Sequence, residues 1–229
     1  RVDAGGRDLD QHLAVVRLRA IDLLDVQHLW AAVLVESGCA HGGRRFVAPR
    51  EKPIRRPRER PVSVRLIAHR GFAAEAPENT LGAIRRSADR ADAVEVDARR
   101  CGSGELVVIH DETVDRVTDG QGRVDEHTRD ELAALSVLGS GDGVPTLAEV
   151  AAAIPDGVGL LLELKEPGIA RDALAAAADV DDLLVSSFLP AALAECRWVD
   201  DDVPLALNVA DSGGIAEARR LDCAAVHPH

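Results

Sequence analysis

From Val64 onward, short and nearly continuous apolar runs alternate with segments whose apolar positions recur every three or four residues. The runs predict strands over 64–68, 93–98, 105–109, 158–164, 183–187, 204–208 and 223–226. The intervening periodicity predicts helices over 79–89, 146–154, 169–178, 190–197 and 213–220. Asn79, after Pro77, is a candidate N-cap, and Thr146 with Glu149 three residues on has capping-box spacing. Apolar runs without alternation are the pattern of parallel strands covered by helices on both faces. Repeated β–α units predict an α/β fold, either a (β/α) barrel or a doubly wound sheet. In both, functional groups gather at the C-terminal strand ends.

Two stretches depart from this pattern. Residues 111–145 are polar and Gly-rich, and a long insertion after a strand end reads as a lid or substrate-contacting segment. Residues 1–63 read as a basic leader outside the fold. Within it, 11–36 could form an amphipathic helix, and the Arg/Pro-rich 41–61 reads as a disordered linker. The domain reading is therefore 1–63 as leader and 64–229 as the folded body.

Composition narrows the function classes. Hydrophobic residues make up 46% of the 229 but aromatics only 2%, so the core must be built from Ala, Val, Leu and Ile. No stretch of apolar residues is long enough for a stable membrane insertion. Residues 1–65 carry 13 Lys and Arg against 8 Asp and Glu, whereas 66–229 carry 14 against 31, a net of −17. A body this acidic repels nucleic acid and anionic membranes. Cys39, Cys101, Cys196 and Cys223 form no paired motif, and isolated thiols fit a cytoplasmic protein. The chain has no methionine, even at position 1, which reads as a fragment or a processed chain.

The candidate chemistry sits at the ends of the apolar runs. They read Leu66-Ile67-Ala68-His69-Arg70-Gly71, Val94-Glu95-Val96-Asp97, Val107-Val108-Ile109-His110-Asp111 and Leu161-Leu162-Glu163-Leu164-Lys165. Glu95 and Asp97 are two apart on one strand and share a face, and Glu163 with Lys165 repeats that geometry. Carboxylates pointing together repel unless a cation or proton joins them, so Glu95, Asp97 and Glu163 make a hard-oxygen site for Mg²⁺ or Ca²⁺. His69 and His110 on separate strands beside them are a candidate acid–base pair. Arg70, next to a glycine, could hold a phosphate oxygen. Asp111 either orients His110 or caps the next turn. His12, His28, His41, His127, His227 and His229 lack such context, with a reservation for His227. Nucleotide-binding glycine loops and the serine-hydrolase elbow are absent.

At these residues the chain resembles the glycerophosphodiester phosphodiesterase family. His69-Arg70-Gly71 with Pro77-Glu78-Asn79-Thr80 is similar to its opening signature. Glu95-x-Asp97, His110-Asp111, Asp115-Arg116-x-Thr118, Pro145-Thr146-Leu147-x-Glu149, Glu163-x-Lys165 and Ser187-Phe188 follow in the family's order. The resemblance covers roughly 64–229. It implies a TIM-type (β/α) barrel with an inserted segment after the third strand, here 111–145. It also implies that the barrel is incomplete at the C-terminus, because family members continue beyond the 223–226 strand.

The implied activity is metal-dependent hydrolysis of a small-molecule glycerophosphodiester to glycerol 3-phosphate and an alcohol. Carried over by position, Glu95, Asp97 and Glu163 would bind the divalent cation, and His69 and His110 would exchange protons. Arg70 and Lys165 would hold the phosphate, and Glu78 would support the first loop. Two alternatives stand beside this reading: a phospholipase D-like lipid phosphodiesterase, and a non-catalytic phosphate- or metal-binding remnant. The alcohol, the metal and the oligomeric state are not legible in the sequence.

Overall fold

The structure, a computed structural model, describes residues 65–211 and 213–228. The expected helix over 11–36, the 41–61 linker, Cys39 and the first three histidines lie outside these residues. In chain order the elements begin with β1 (Ile67–His69), α1 (Leu81–Ala88), β2 (Ala93–Arg100) and β3 (Leu106–Val108). A single 3₁₀ turn (Val124–Glu126) and α2 (Arg129–Ala134) follow, then α3 (Leu147–Ala151) and β4 (Gly159–Leu164). The chain continues with α4 (Ala170–Ala176), β5 (Leu183–Ser187), α5 (Pro190–Val199), β6 (Leu205–Val209), α6 (Gly214–Arg220) and β7 (Ala225–Pro228).

The strands form one sheet in the order β1-β2-β4-β5-β6-β7, all parallel. The order rises steadily and never reverses, so the sheet has no switch point of the doubly wound kind. It follows barrel topology. Six parallel strands stand where a closed barrel has eight, and β1 and β7 are not paired with each other among the described residues.

β3 corrects the expectation of a parallel strand. It lies antiparallel to β2, pairing Ala98 with Val108 and Arg100 with Leu106. Only Cys101-Gly102-Ser103-Gly104-Glu105 joins the two strands. That connection is far too short for a parallel crossover, which needs a dozen residues or more, and it makes a hairpin instead.

Alternation sorts each strand into two faces. Val94, Val96, Leu160, Leu162, Val185 and Leu205 point outward and pack in the main core that the helices cover. The inward residues form layers. Ile67, Ala93 and Leu161 make an apolar floor, with Leu184 packed against it. Two residues further along the same strands stand His69, Glu95, Glu163 and Ser186, so a polar layer sits directly on that floor.

Three helix starts follow capping chemistry, each at a threonine. Thr80, not Asn79, caps α1, its side chain accepting from the Ala83 amide. Asn79 instead takes a left-handed conformation (φ 58°) that frees its amide for the site described below. Thr146 and Glu149 form the expected capping box on α3. The 111–145 segment holds more structure than its polarity announced. Thr128 and Glu131 build a second capping box on α2, and Val114, Val117, Val124 and Leu132 close a small separate core with Val107 and Ile109. No helix among the described residues is long and apolar enough to cross a membrane.

Candidate active site

β2 and β4 are neighbours in register, with Asp97 opposite Glu163, so alternation alone brings Glu95, Asp97 and Glu163 to one inward face. Each offers an oxygen, and these oxygens all lie within 4.8 Å of one another. All three carboxylates are buried. Three like charges in so dry a place are unstable without compensation. Burial, with Asp97 and Glu163 alongside, pushes the Glu95 carboxyl well above the usual carboxylate range.

Two cations answer part of this charge. Lys165 Nζ lies 2.8 Å from Asp97 Oδ1 and in close contact with Glu163. Arg70 places Nε 3.2 Å from Asp97 Oδ2, and its backbone amide donates to Glu95 at 2.9 Å. Asn79 donates its side-chain amide to Asp97 Oδ2 at 2.9 Å. Burial alone would raise Asp97, but Lys165 and Arg70 outweigh it and hold the carboxyl below its ordinary range. The Lys165 ammonium meets Asp97 Oδ1 out of hydrogen-bond alignment, so that oxygen keeps an unused acceptor site.

An all-oxygen donor set, one orphaned buried acceptor and one carboxyl driven toward protonation together fit a hard divalent cation. The buried acidic cluster could bind a metal. In the structure Arg70 and Lys165, the expected phosphate holders, are both engaged by these carboxylates.

His69 ends β1 beside the cluster, its Nε2 3.9 Å from Glu95 Oε2 and its side chain 45% exposed. Burial of the rest of the ring, and then the Arg70 guanidinium, lower its pKa, favouring the neutral imidazole. The chain then folds back sharply. Arg70, Gly71 and Phe72 are consecutive left-handed residues (φ 50°, 75° and 62°). Gly71 is required there, because a Cβ would sit 3.0 Å from the Ala83 backbone carbonyl carbon.

His110 follows β3, and Asp111 accepts from its Nδ1 at 2.7 Å. This decides between the two roles left open for Asp111: it orients the imidazole. Burial would raise the Asp111 carboxyl, but hydrogen bonds from Arg116 and His110 hold it at about 2. Being ionised at neutral pH, it can only accept, so His110 Nδ1 carries a proton and donates it in this bond. Glu78 is buried between two guanidiniums, accepting from Arg70 at 3.0 Å and from Arg116 at 2.8 and 2.9 Å.

Comparisons with known proteins identify the family. Residues 69–212 match the model of the glycerophosphoryl diester phosphodiesterase family. A glycerophosphodiester phosphodiesterase of Caldanaerobacter subterraneus subsp. tengcongensis is 33% identical over 183 residues, 71% of this chain and 74% of the relative. The chain belongs to the glycerophosphoryl diester phosphodiesterase family. Human glycerophosphodiester phosphodiesterase 1 is 34% identical over 173 residues, 68% of this chain and 51% of the relative. The chain thus spans about half the length of the mammalian relatives it matches. A solved Oleispira antarctica phosphodiesterase, in complex with the product sn-glycerol-3-phosphate, aligns with a TM-score of 0.65. It is 33% identical and the alignment covers 71% of this chain and 74% of that one.

The eight candidate site residues (His69, Arg70, Glu78, Glu95, Asp97, His110, Glu163 and Lys165) stand at one end of the sheet, in contact with one another or with shared partners. Sequence reasoning missed two partners within this site and left His227, on another strand, with only a reservation. Asn79 was read as a cap and is a partner of Asp97. Arg116, noted only as part of a motif, joins Glu78 to Asp111. His227 faces inward from β7, and its Nδ1 lies 3.2 Å from Asn208 Oδ1 on β6. Burial pushes its pKa down to about 4.

Proposed function

We propose that this protein hydrolyses glycerophosphodiesters to sn-glycerol 3-phosphate and an alcohol. The observation that carries the reading is the buried Glu95–Asp97–Glu163 cluster flanked by His69 and His110, in a member of this phosphodiesterase family. The glycerophosphodiester phosphodiesterases among its relatives, and the product bound in the Oleispira structure, support the substrate class. No observation favours the lipid phosphodiesterase or the non-catalytic alternative.

Glu95, Asp97 and Glu163 would hold the divalent cation, Mg²⁺ or Ca²⁺. When bound, such an ion offsets carboxylate charge and withdraws charge from phosphoryl oxygens. Arg70 and Lys165 supply two further fixed cations for the phosphodiester. His69 and His110 stand on separate strand ends with a nitrogen each available to the mouth. One takes the proton of the attacking hydroxyl, and the other returns a proton to the departing alkoxide. Neutral His69 suits the base, since its burial beside Arg70 disfavours the imidazolium.

The test is release of glycerol 3-phosphate from glycerophosphocholine by the full chain, with and without Mg²⁺ or Ca²⁺. Release only with metal is expected. Glu163→Gln should lower calorimetric Ca²⁺ affinity by about tenfold or more, since it replaces a charged ligand with a neutral one. A cooperatively folded chain that releases nothing at any metal concentration would sink the reading.

A further inference from the structure

One charged side chain at this end of the sheet touches neither the carboxylate cluster nor either imidazole, yet joins the loops that carry both. Arg116 Nε donates to Asp111 Oδ2 at 2.5 Å, and its Nη2 to Asp111 Oδ1 at 3.2 Å. The same guanidinium donates from Nη1 and Nη2 to the two oxygens of Glu78, at 2.9 and 2.8 Å. Glu78 in turn accepts from Arg70, the residue after His69, and Asp111 accepts from His110. The sequence of partners Arg70–Glu78–Arg116–Asp111 alternates in charge and, with His110 as its last member, runs unbroken from one histidine loop to the other.

The position of Arg116 is set by the inserted segment. Val114 and Val117 on either side are buried in its small core, and the Val117 and Thr118 amides both return to the Val114 carbonyl. That tight turn leaves Arg116 no choice but to project away from the core, toward Glu78 and Asp111. A planar guanidinium can grip two carboxylates bidentately at fixed angles, whereas an ammonium meets them as a point charge without that fork.

We propose that Arg116 is a positioning residue: it clamps Asp111 against His110 Nδ1 and locks the His110 loop to the Arg70 loop, so that the two imidazoles keep a fixed separation. The inserted segment then has a task of its own, because it delivers this clamp. The idea rests on His110 being one of the proton-transfer pair. The charged groups facing His110 are Asp111 beside it, Arg116 from the insertion, Arg99 of β2 through the His110 carbonyl, and Asp97 and His69 across the mouth.

The experiment compares the full chain with R116M, R116K and D111N, and with the R116M/D111N double variant, on glycerophosphocholine. R116M should lower kcat by about 10- to 100-fold with KM within about twofold, as expected for misplaced catalytic groups. The double variant should be no slower than D111N alone, because both changes release the same imidazole. Nitrogen-15 NMR should show His110 Nδ1 protonated and hydrogen-bonded in the parent, with that hydrogen bond weakened in R116M. Where R116M melts low, R116K carries the same test, since it keeps the charge and loses the two-carboxylate fork. Parental kcat in the folded variant with the least perturbed melt, unchanged His110 signals, or additive losses in the double variant would each overturn the clamp. The NMR arm is independent of turnover, so an inactive parent that shows this hydrogen bond and its weakening in R116M discards the phosphodiesterase reading and not the clamp.

Discussion

Glu95 sits against Asp97 and Glu163 in a buried corner, where Arg70, Lys165 and Asn79 soften the repulsion. What could be read from sequence at this scale is the residues whose own strand position places them. A polar side chain ending an apolar run must face the mouth, and His69, Glu95, Asp97, His110, Glu163 and Lys165 all obey. Arg116 and Asn79 could not be placed that way. Their partners lie 38 and 18 residues off along the chain, and nothing local in a loop aims a side chain over such a separation. His227 is the same case from another strand, and it yields a prediction. Burial depresses its folded pKa to about 4, against 6.5 for an ordinary histidine. A base with a lowered folded pKa favours folding fully above pH 6.5 and loses that contribution as pH falls toward 4, because the unfolded chain takes up the proton first. At pH 5 the loss is about 2 kcal/mol. Melts of the parent and of His227→Gln at pH 7 and pH 5 should therefore converge as pH drops. Parallel losses in both proteins would show that the buried imidazole does not titrate as described.

At the scale of elements, the strands were the most legible part. Runs of Val and Leu with a polar terminus mark β2, β4, β5 and β6 to within a residue or two, since a strand buried on both faces has no other composition open to it. β3 shows where that logic stops. Its apolar residues look like those of its parallel neighbours, and only the five-residue link before it dictates the reversed direction. The insertion was legible as an interruption but not as a folded unit, because its core is assembled from single valines spaced through polar sequence. α2 is only six residues long, too short to persist without its cap. Thr128 accepts from the Glu131 amide, and Glu131 accepts from the Thr128 amide at 2.8 Å. Thr128→Ala removes half of this box and should cost about 1 kcal/mol in urea unfolding. The loss should appear in the midpoint with the slope unchanged, as the exposed surface is nearly the same. A midpoint equal to the parent's would mean that the small core, not the cap, holds α2.

Across the whole molecule the local and global electrostatics oppose each other. The 66–229 body carries a net −17, while its proposed substrates carry a phosphodiester anion that must end beside Arg70 and Lys165. At low ionic strength the field of the body extends tens of ångströms and repels an anion, whereas at physiological salt it fades within about 8 Å. The two site cations act inside that distance and are partly shielded from solvent, so salt weakens the repulsion far more than the capture. The substrate's own charge then separates long-range from local effects. Glycerophosphoglycerol is a net anion, and glycerophosphocholine is a zwitterion with no net charge for the body to repel. Raising salt at fixed metal should increase kcat/KM for the anion by severalfold and leave the zwitterion within about twofold, since steering acts on net charge. The effect should lie in kcat/KM and not in kcat, because a field that delays encounter leaves the bound complex unchanged. Equal salt responses for the two substrates would mean that the acidic surface faces away from the approach to the mouth. A falling response for both would place the dominant attraction at Arg70 and Lys165 in reach of bulk salt, contrary to their burial at half or less of full exposure.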